Sequence, residues 1–278
     1  MNDFIERVVI QLDAVSETHE AIDTAARLAA RAKAPLEGIF VEDEDLLRLA
    51  ILPFARQVSL GAGSEPLTLD HVEWQLRVAA ERTRQDLATA AERHGVAWSF
   101  EVVRGSSVGA RFGASQRDLV VAGALTRPVA GQFRVECRWW SSINAAPGPF
   151  LLARRAWEAS GAVLIMLRDR SQGSIRLLDA AGRIAEVRNT KMTLICTAEF
   201  SRAEGFETWI ADHLVPHPGS PQIELAPADA TALLQRMLEL DCGLLAIEAS
   251  FVEQQPDRIR EFVERLACDL LVVRWIPT

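Results

Sequence analysis

The sequence predicts an α/β protein built from two Rossmann-like (flavodoxin-like) halves, each a mostly parallel sheet with helices on both faces. Three observations predict it. Short apolar runs alternate with amphipathic segments along the whole chain, the pattern of strand–helix–strand units. The runs Arg7–Leu12, Leu36–Val41, Asp118–Ala122 and Leu270–Val273 are rich in Val, Leu and Ile without a polar alternation, as in parallel strands buried on both faces. The stretches Arg154–Arg168 and Arg260–Arg274 look alike, each a helical segment, a small-residue turn and an apolar strand ending in arginine, which implies two related halves.

Along the chain, Arg7–Leu12 is the first strand and Asp13 closes it. No glycine-rich turn follows, so neither a dinucleotide fingerprint nor a P-loop is present there. Ser16 is placed to cap the first helix, with Glu17 and Glu20 in its first turn. Ile22, Ala25, Ala26, Ala29 and Ala32 recur at helical spacing, and Pro35 ends that helix before the strand Leu36–Val41. A short helix is expected near Leu46–Ala50 and a loop over Ser59–Pro66. The clearest helix starts near Asp70, carries a stripe from Leu69 to His94, and stops at Gly95. A strand over Val96–Arg104 and the buried strand Asp118–Gly123 follow. A helix over Phe150–Glu158 and a strand over Ala162–Arg168 are expected to close the first half. The domains are then 1–169 and 170–278, with Ala162–Arg168 also able to open the second half. The second half alternates a helix over Ser174–Val187, strands over Met192–Thr197, Gln222–Leu225 and Gly243–Ala249, helices between them, and a last strand over Asp269–Arg274. Between Arg168 and Met192 there is too little chain for another strand plus a long helix, so either one half lacks a strand or two segments share its role.

Composition narrows the function classes. With 49% hydrophobic residues in 278, a sizeable core is available. The net charge of −8 argues against a general phosphate binder and against nucleic acid as partner. The four cysteines are far apart and form no C-x-x-C pair, which reads as buried thiols in a reducing compartment. No apolar run reaches membrane-spanning length and no signal peptide is visible. The expected location is the cytoplasm.

The order of a strand ending in Asp13, a helix, a strand ending near Val41-Glu42, a long helix, a strand into Gly105, and then Asp118-Leu119-Val120-Val121-Ala122-Gly123 resembles the universal stress protein family. There the fourth strand commonly reads Asp-Leu-Ile-Val-x-Gly. The resemblance implies a tandem pair of HUP-type α/β domains, association through edge strands as a homodimer or an intramolecular pseudo-dimer, and a stress-associated role. ATP-binding members continue with roughly Gly-x-x-Gly, about nine residues, then Gly-Ser/Thr. Gly123 matches the first position. Thr126 stands in place of the second glycine, with Arg127 and Pro128 after it, and no Gly-Ser or Gly-Thr pair follows. Proline also removes an N–H donor from the loop. Ala249-Ser250-Phe251-Val252 stands at the equivalent place of the second half and matches nothing. The resemblance thus implies the fold, with no cofactor as the leading expectation and ATP as the alternative, held by Asp13, Val41, Gly123, Thr126 and Arg127.

Other constellations have a structural and a functional reading. Arg127–Trp140 mixes three arginines with Phe133, Trp139 and Trp140, suited to an interface or lid, or to an anionic planar ligand. Glu42–Asp45 suits a solvated helix start better than a cation site. The five histidines are scattered, and Pro216 denies His213 and His217 a shared helical face. Ser106 and Ser107 suit capping. No pairing of nucleophile with base emerges. The leading expectation is a non-catalytic binding or regulatory protein that works through a protein partner or self-association; the alternative is a nucleotide-binding protein with a divergent loop.

Overall fold

The structure is a computed structural model that describes residues 5–14, 19–59, 63–105, 114–123, 142–143, 145–154, 157, 161–214, 221–227 and 230–275. Its strands are β1 (Arg7–Leu12), β2 (Leu36–Asp43), β3 (Arg56–Ser59), β4 (Gly63–Pro66), β5 (Trp98–Gly105), β6 (Asp118–Gly123), β7 (Phe150–Ala153), β8 (Ala162–Leu167), β9 (Met192–Cys196), β10 (Gln222–Leu225), β11 (Cys242–Glu248) and β12 (Asp269–Val273). The helices are α1 (His19–Ala32), α2 (Glu44–Ala50), α3 (Leu69–His94), α4 (Gln172–Arg188), α5 (Ala198–Ser201), α6 (Phe206–His213), α7 (Ala230–Glu239), α8 (Ala249–Gln254) and α9 (Pro256–Leu266).

Ten strands form one sheet in the order β10-β9-β8-β11-β12-β7-β6-β1-β2-β5. Every neighbouring pair is parallel except β12 and β7, which are antiparallel. From outer edge to seam, the first five strands run third-second-first-fourth-fifth, and so do the last five. The antiparallel join inverts the second set, so the carboxyl ends of the two sets open at opposite ends of the sheet.

The strand sequences explain the burial. In β1, Val8, Ile10 and Leu12 face one apolar cluster and Val9 faces the other. One face is covered by α1, α3, α4, α5 and α6; on the other, α7, α8 and α9 cover the last five strands, and Ile143 and Ala146 pack with the first five. Burying each such side chain is worth about 1.5–3 kcal/mol, so a polar residue on either face would be costly. This is why the central strands show no polar alternation. Among the described residues β5 has no outer neighbour, and it largely alternates more exposed with less exposed residues.

Helix ends follow local chemistry. Thr68 caps α3 by accepting from the His71 N–H at 3.4 Å, and Gly95 ends it in the left-handed region at φ 66°, which glycine adopts without strain. Asp43 caps α2 by accepting the Asp45 N–H at 2.9 Å. Ser171 caps α4 by accepting the Ser174 N–H at 3.1 Å. Where β8 and β11 begin, a Cβ on Gly161 would lie 2.6 Å from the Gly243 Cα. Two glycines let these backbones meet beside the register shift between Cys242 and Leu244.

Several expectations are corrected. Phe150–Ala153 is the strand β7, not the start of a helix. Its residues form helices readily, but the slot between β6 and β12 overrides that preference. Arg56–Ser59 and Gly63–Pro66 pair as an antiparallel hairpin where Ser59–Pro66 reads as a loop. The last strand is parallel to β11 but antiparallel to β7. The second set lacks no strand, because α4 leads directly from β8 to β9. The look-alike stretches are not equivalent: β8 is the central strand of its set, while β12 is the fifth. The strand β8 is hydrogen-bonded to β9 and β11. No helix of the described residues is long and apolar enough to cross a membrane.

Candidate functional site

In an open α/β sheet, ligands bind outside the carboxyl ends of the strands, where the connections diverge to either side. This chain has two such places, one between β1 and β6 and one between β8 and β11. At the first, Asp13 follows the last residue of β1 and is buried, and Gly123 is the last residue of β6, paired in register with Ala153. Val41 lies on β2 and is 1% exposed, packed in the core cluster with Ile39 and Val120. Its side chain is part of the core beneath this place. Gln11, also buried on this face, accepts a hydrogen bond from the Ser142 hydroxyl at 2.8 Å. Thr126, Arg127 and the rest of the Arg127–Trp140 segment lie outside the described residues, as do Ser16, Ser106 and Ser107.

The registers identify the matching positions of the second place. Leu12 pairs with Phe40 as Leu167 pairs with Cys196, so Arg168 takes the place of Asp13. Val121 lies opposite Ile10 as Ala246 lies opposite Ile165, so Glu248 takes the place of Gly123. Here the side chains bond to one another. Ser174 Oγ donates to Glu248 Oε1 at 2.5 Å and lies 3.2 Å from Asp169 Oδ1. Ser171 Oγ lies 3.4 Å from Glu248 Oε1. The Ser171 N–H donates to Asp169 Oδ1 at 2.8 Å. Burial works to raise the Asp169 carboxyl. Hydrogen bonds from Ser171 and Ser174, with Arg168 nearby, outweigh it and hold the group below the usual carboxylate range.

The remaining candidates resolve into structural roles. Within the acidic run, Asp43 is the cap of α2, Glu42 pairs with Arg104 at 3.2 Å and Glu44 with Arg48 at 3.0 Å. His94 meets Asp23 at 3.2 Å across α1 and α3, and His213 Nδ1 lies 2.8 Å from the Trp209 carbonyl. Among the described residues no three His, Cys, Asp or Glu side chains gather as metal ligands. Burial pushes the Cys196 thiol up to about 12, which keeps it protonated and unreactive at neutral pH. A cavity of about 200 Å³ between α1 and α4 is lined by Leu28, Arg31, Ile184 and Val187 among others. That is smaller than the roughly 300–1,000 Å³ of typical ligand pockets, and the Arg31–Glu186 pair at 2.5 Å spans the same two helices.

Sequence reasoning placed Asp13 and Gly123 at the strand ends but missed Glu248, Ser171 and Ser174 as a cluster. The signal was available. Aligning the strand ends of the two halves sets Ala122-Gly123 against Ile247-Glu248 and exposes the exchange of a glycine for a carboxylate.

No protein-family model and no curated protein matches this sequence. Solved structures do. A universal stress protein from Archaeoglobus fulgidus DSM 4304 superposes with a TM-score of 0.65 at 13% identity, covering 99% of this chain and 98% of that one. A putative universal stress protein from Pseudomonas aeruginosa UCBPP-PA14 gives 0.62 at 13% identity, with 98% and 94% covered. A functionally unknown protein from Pseudomonas aeruginosa PAO1 gives 0.61 at 13% identity over the same shares. Along nearly its whole length, this chain shares the fold of the universal stress proteins.

Proposed function

We propose that this chain is a non-catalytic, cytoplasmic binding and regulatory protein of universal-stress type that acts through a protein partner. The observation that carries this reading is the commitment of the strand-end polar groups. Asp43, Ser171 and Thr197 each cap a helix, and Glu248 and Asp169 are held by serine hydroxyls. These five strand-end side chains are thus engaged in holding the fold. The stress association rests on the likeness of fold. In the same proposal the chain divides into two units between Ala153 and Ala162, and their antiparallel join serves as an intramolecular counterpart of a homodimer.

A second reading has one observation in its favour: buried Asp13 and the small Gly123 share the first crevice, an arrangement open to a nucleotide. Isothermal titration with ATP separates the two. The binding-protein reading expects weak or undetectable heat and no phosphate release. Clean one-site binding at micromolar ATP, lost in Asp13→Ala, replaces it with the nucleotide reading.

A further inference from the structure

We propose that the second strand-end crevice is closed by the protein's own anion: Glu248 holds the place against the first turn of α4 that an anionic ligand group would take. The inference shares the strand-end reading of the proposed function, but it concerns the second half alone.

Three independent features meet at this point. Glu248 ends the fourth strand of its set, where the first set has Gly123. A glycine there leaves space beside the first strand's end, and a glutamate puts a carboxylate into it. That carboxylate reaches the start of α4, the helix that follows the first strand of the set. A Cβ added to Gly173, in the first turn of α4, would lie 2.6 Å from Glu248 Oε2. The carboxylate thus occupies the space that a side chain at 173 would take, and a larger residue there would displace it. Finally, the two hydroxyls of the first turn turn toward it, Ser174 at 2.5 Å and Ser171 at 3.4 Å.

The physics of the arrangement is that of a bound anion. The amino end of a 17-residue helix carries a partial positive charge and favours a negative group there. In phosphate sites the negative group arrives with the ligand. Here it is covalently part of the chain and always present. A phosphate entering the crevice would have to displace Glu248 from its hydroxyl partner and would meet Asp169 beside it, 3.2 Å from Ser174 Oγ. The Glu248 and Asp169 carboxylates repel an incoming anion at the start of α4, and Arg168, which acts on Asp169, offsets only part of that charge.

The test uses the full chain and inorganic pyrophosphate as probe. Asp169→Asn keeps the oxygen that accepts the Ser171 N–H. Glu248→Gly restores the residue type of the first half. Titration calorimetry should show no measurable binding at the second crevice for the wild type or for Asp169→Asn alone. The double variant Asp169→Asn/Glu248→Gly should bind at least about tenfold more tightly than either, and adding Ser174→Ala should remove the gain. A folded double variant with no gain overturns the proposal. So does wild-type binding of pyrophosphate that Ser174→Ala abolishes, or wild-type binding of Mg²⁺ that Glu248→Gln abolishes, since the carboxylates would then be ligands for a cation. Should the double variant fail to fold, Glu248→Gln decides, because it keeps the shape and removes the charge. Pyrophosphate at 10 mM should then raise its Tm by about 2 °C or more relative to wild type, and the absence of that shift overturns the proposal. Binding at the first crevice is read separately through Asp13→Ala, so the failure of one idea is distinct from the failure of the other.

Discussion

Each half of this molecule buries an aspartate beside an arginine where a strand starts, and the two halves differ at matching positions of their carboxyl ends. At the amino ends each half sets a buried aspartate beside an arginine. Asp118 opens β6 and accepts from Arg7 Nη2 and from the Ser115 N–H, both at 2.7 Å. Asp269 opens β12, accepting from Arg188 at 2.5 Å and from the Arg154 N–H at 2.6 Å. At the carboxyl ends one half has Asp13 with Gly123, and the other has Arg168 with Glu248. The aspartate device is used by both halves but on different strands, β6 being the fourth of its set and β12 the fifth. At the carboxyl ends matching positions can be compared directly, and there the halves carry different residues.

The largest effect should come from the seam. Asp269 is fully buried and Arg188 nearly so, at 0% and 7% side-chain exposure. Asp269→Ala leaves the guanidinium buried beside Trp157 without its carboxylate. Urea denaturation should show a loss of about 3–5 kcal/mol, the usual cost of breaking a buried pair from one side. A loss below about 1 kcal/mol would mean that the buried Arg188–Asp269 pair does not hold the seam. Asp118→Ala should cost less, about 1–3 kcal/mol. Its partner Arg7 is 30% exposed and also pairs with Glu37, so water and a second carboxylate compensate.

Smaller effects sharpen the contrast at the helix starts. Ser171→Ala removes a cap hydroxyl that also lies beside Glu248, and should lower stability by about 1–2 kcal/mol. Thr68→Ala removes a longer cap contact at the start of α3, 3.4 Å, and should cost about 0.5–1 kcal/mol. Equal losses would mean that Glu248 adds nothing to the α4 start. The smallest effect concerns pH. The Asp169 carboxyl is depressed in the folded chain, so its contribution is fully present above the unfolded aspartate value. It is lost as pH falls through the folded value. A comparison of wild type with Asp169→Asn should show the stability gap narrowing on acidification below about pH 4; a gap that widens there reverses the sign and removes the contribution.

The architecture was legible where one local signal sufficed. The apolar runs of β1, β2 and β6 name themselves, and the stripe of α3 with Gly95 after it fixes a helix and its end. It was not legible where tertiary pairing decides. Phe150–Ala153 has no helix-breaking residue, and only its neighbours β6 and β12 make it a strand. Resemblance between β8 and β12 misled for the same reason, since both are short buried runs and the position of a strand in a sheet leaves little trace in its composition. At the candidate site, Asp13 was found because it ends an obvious strand. Glu248 was missed because a glutamate after Ile247 looks like any solvated helix start. Its meaning comes from Gly173 and Ser174, more than seventy residues earlier in the chain.

The antiparallel join of β7 to β12 carries a consequence for how the protein responds to dilution. Two separate subunits meeting through such strands would come apart as their concentration fell. Here the segment from Ala153 to Ala162 ties the partners together, so each meets the other at a fixed local concentration, of millimolar order for a short tether. On the proposed two-unit reading, the coupling between the halves is independent of protein concentration, and unfolding, not dissociation, separates them.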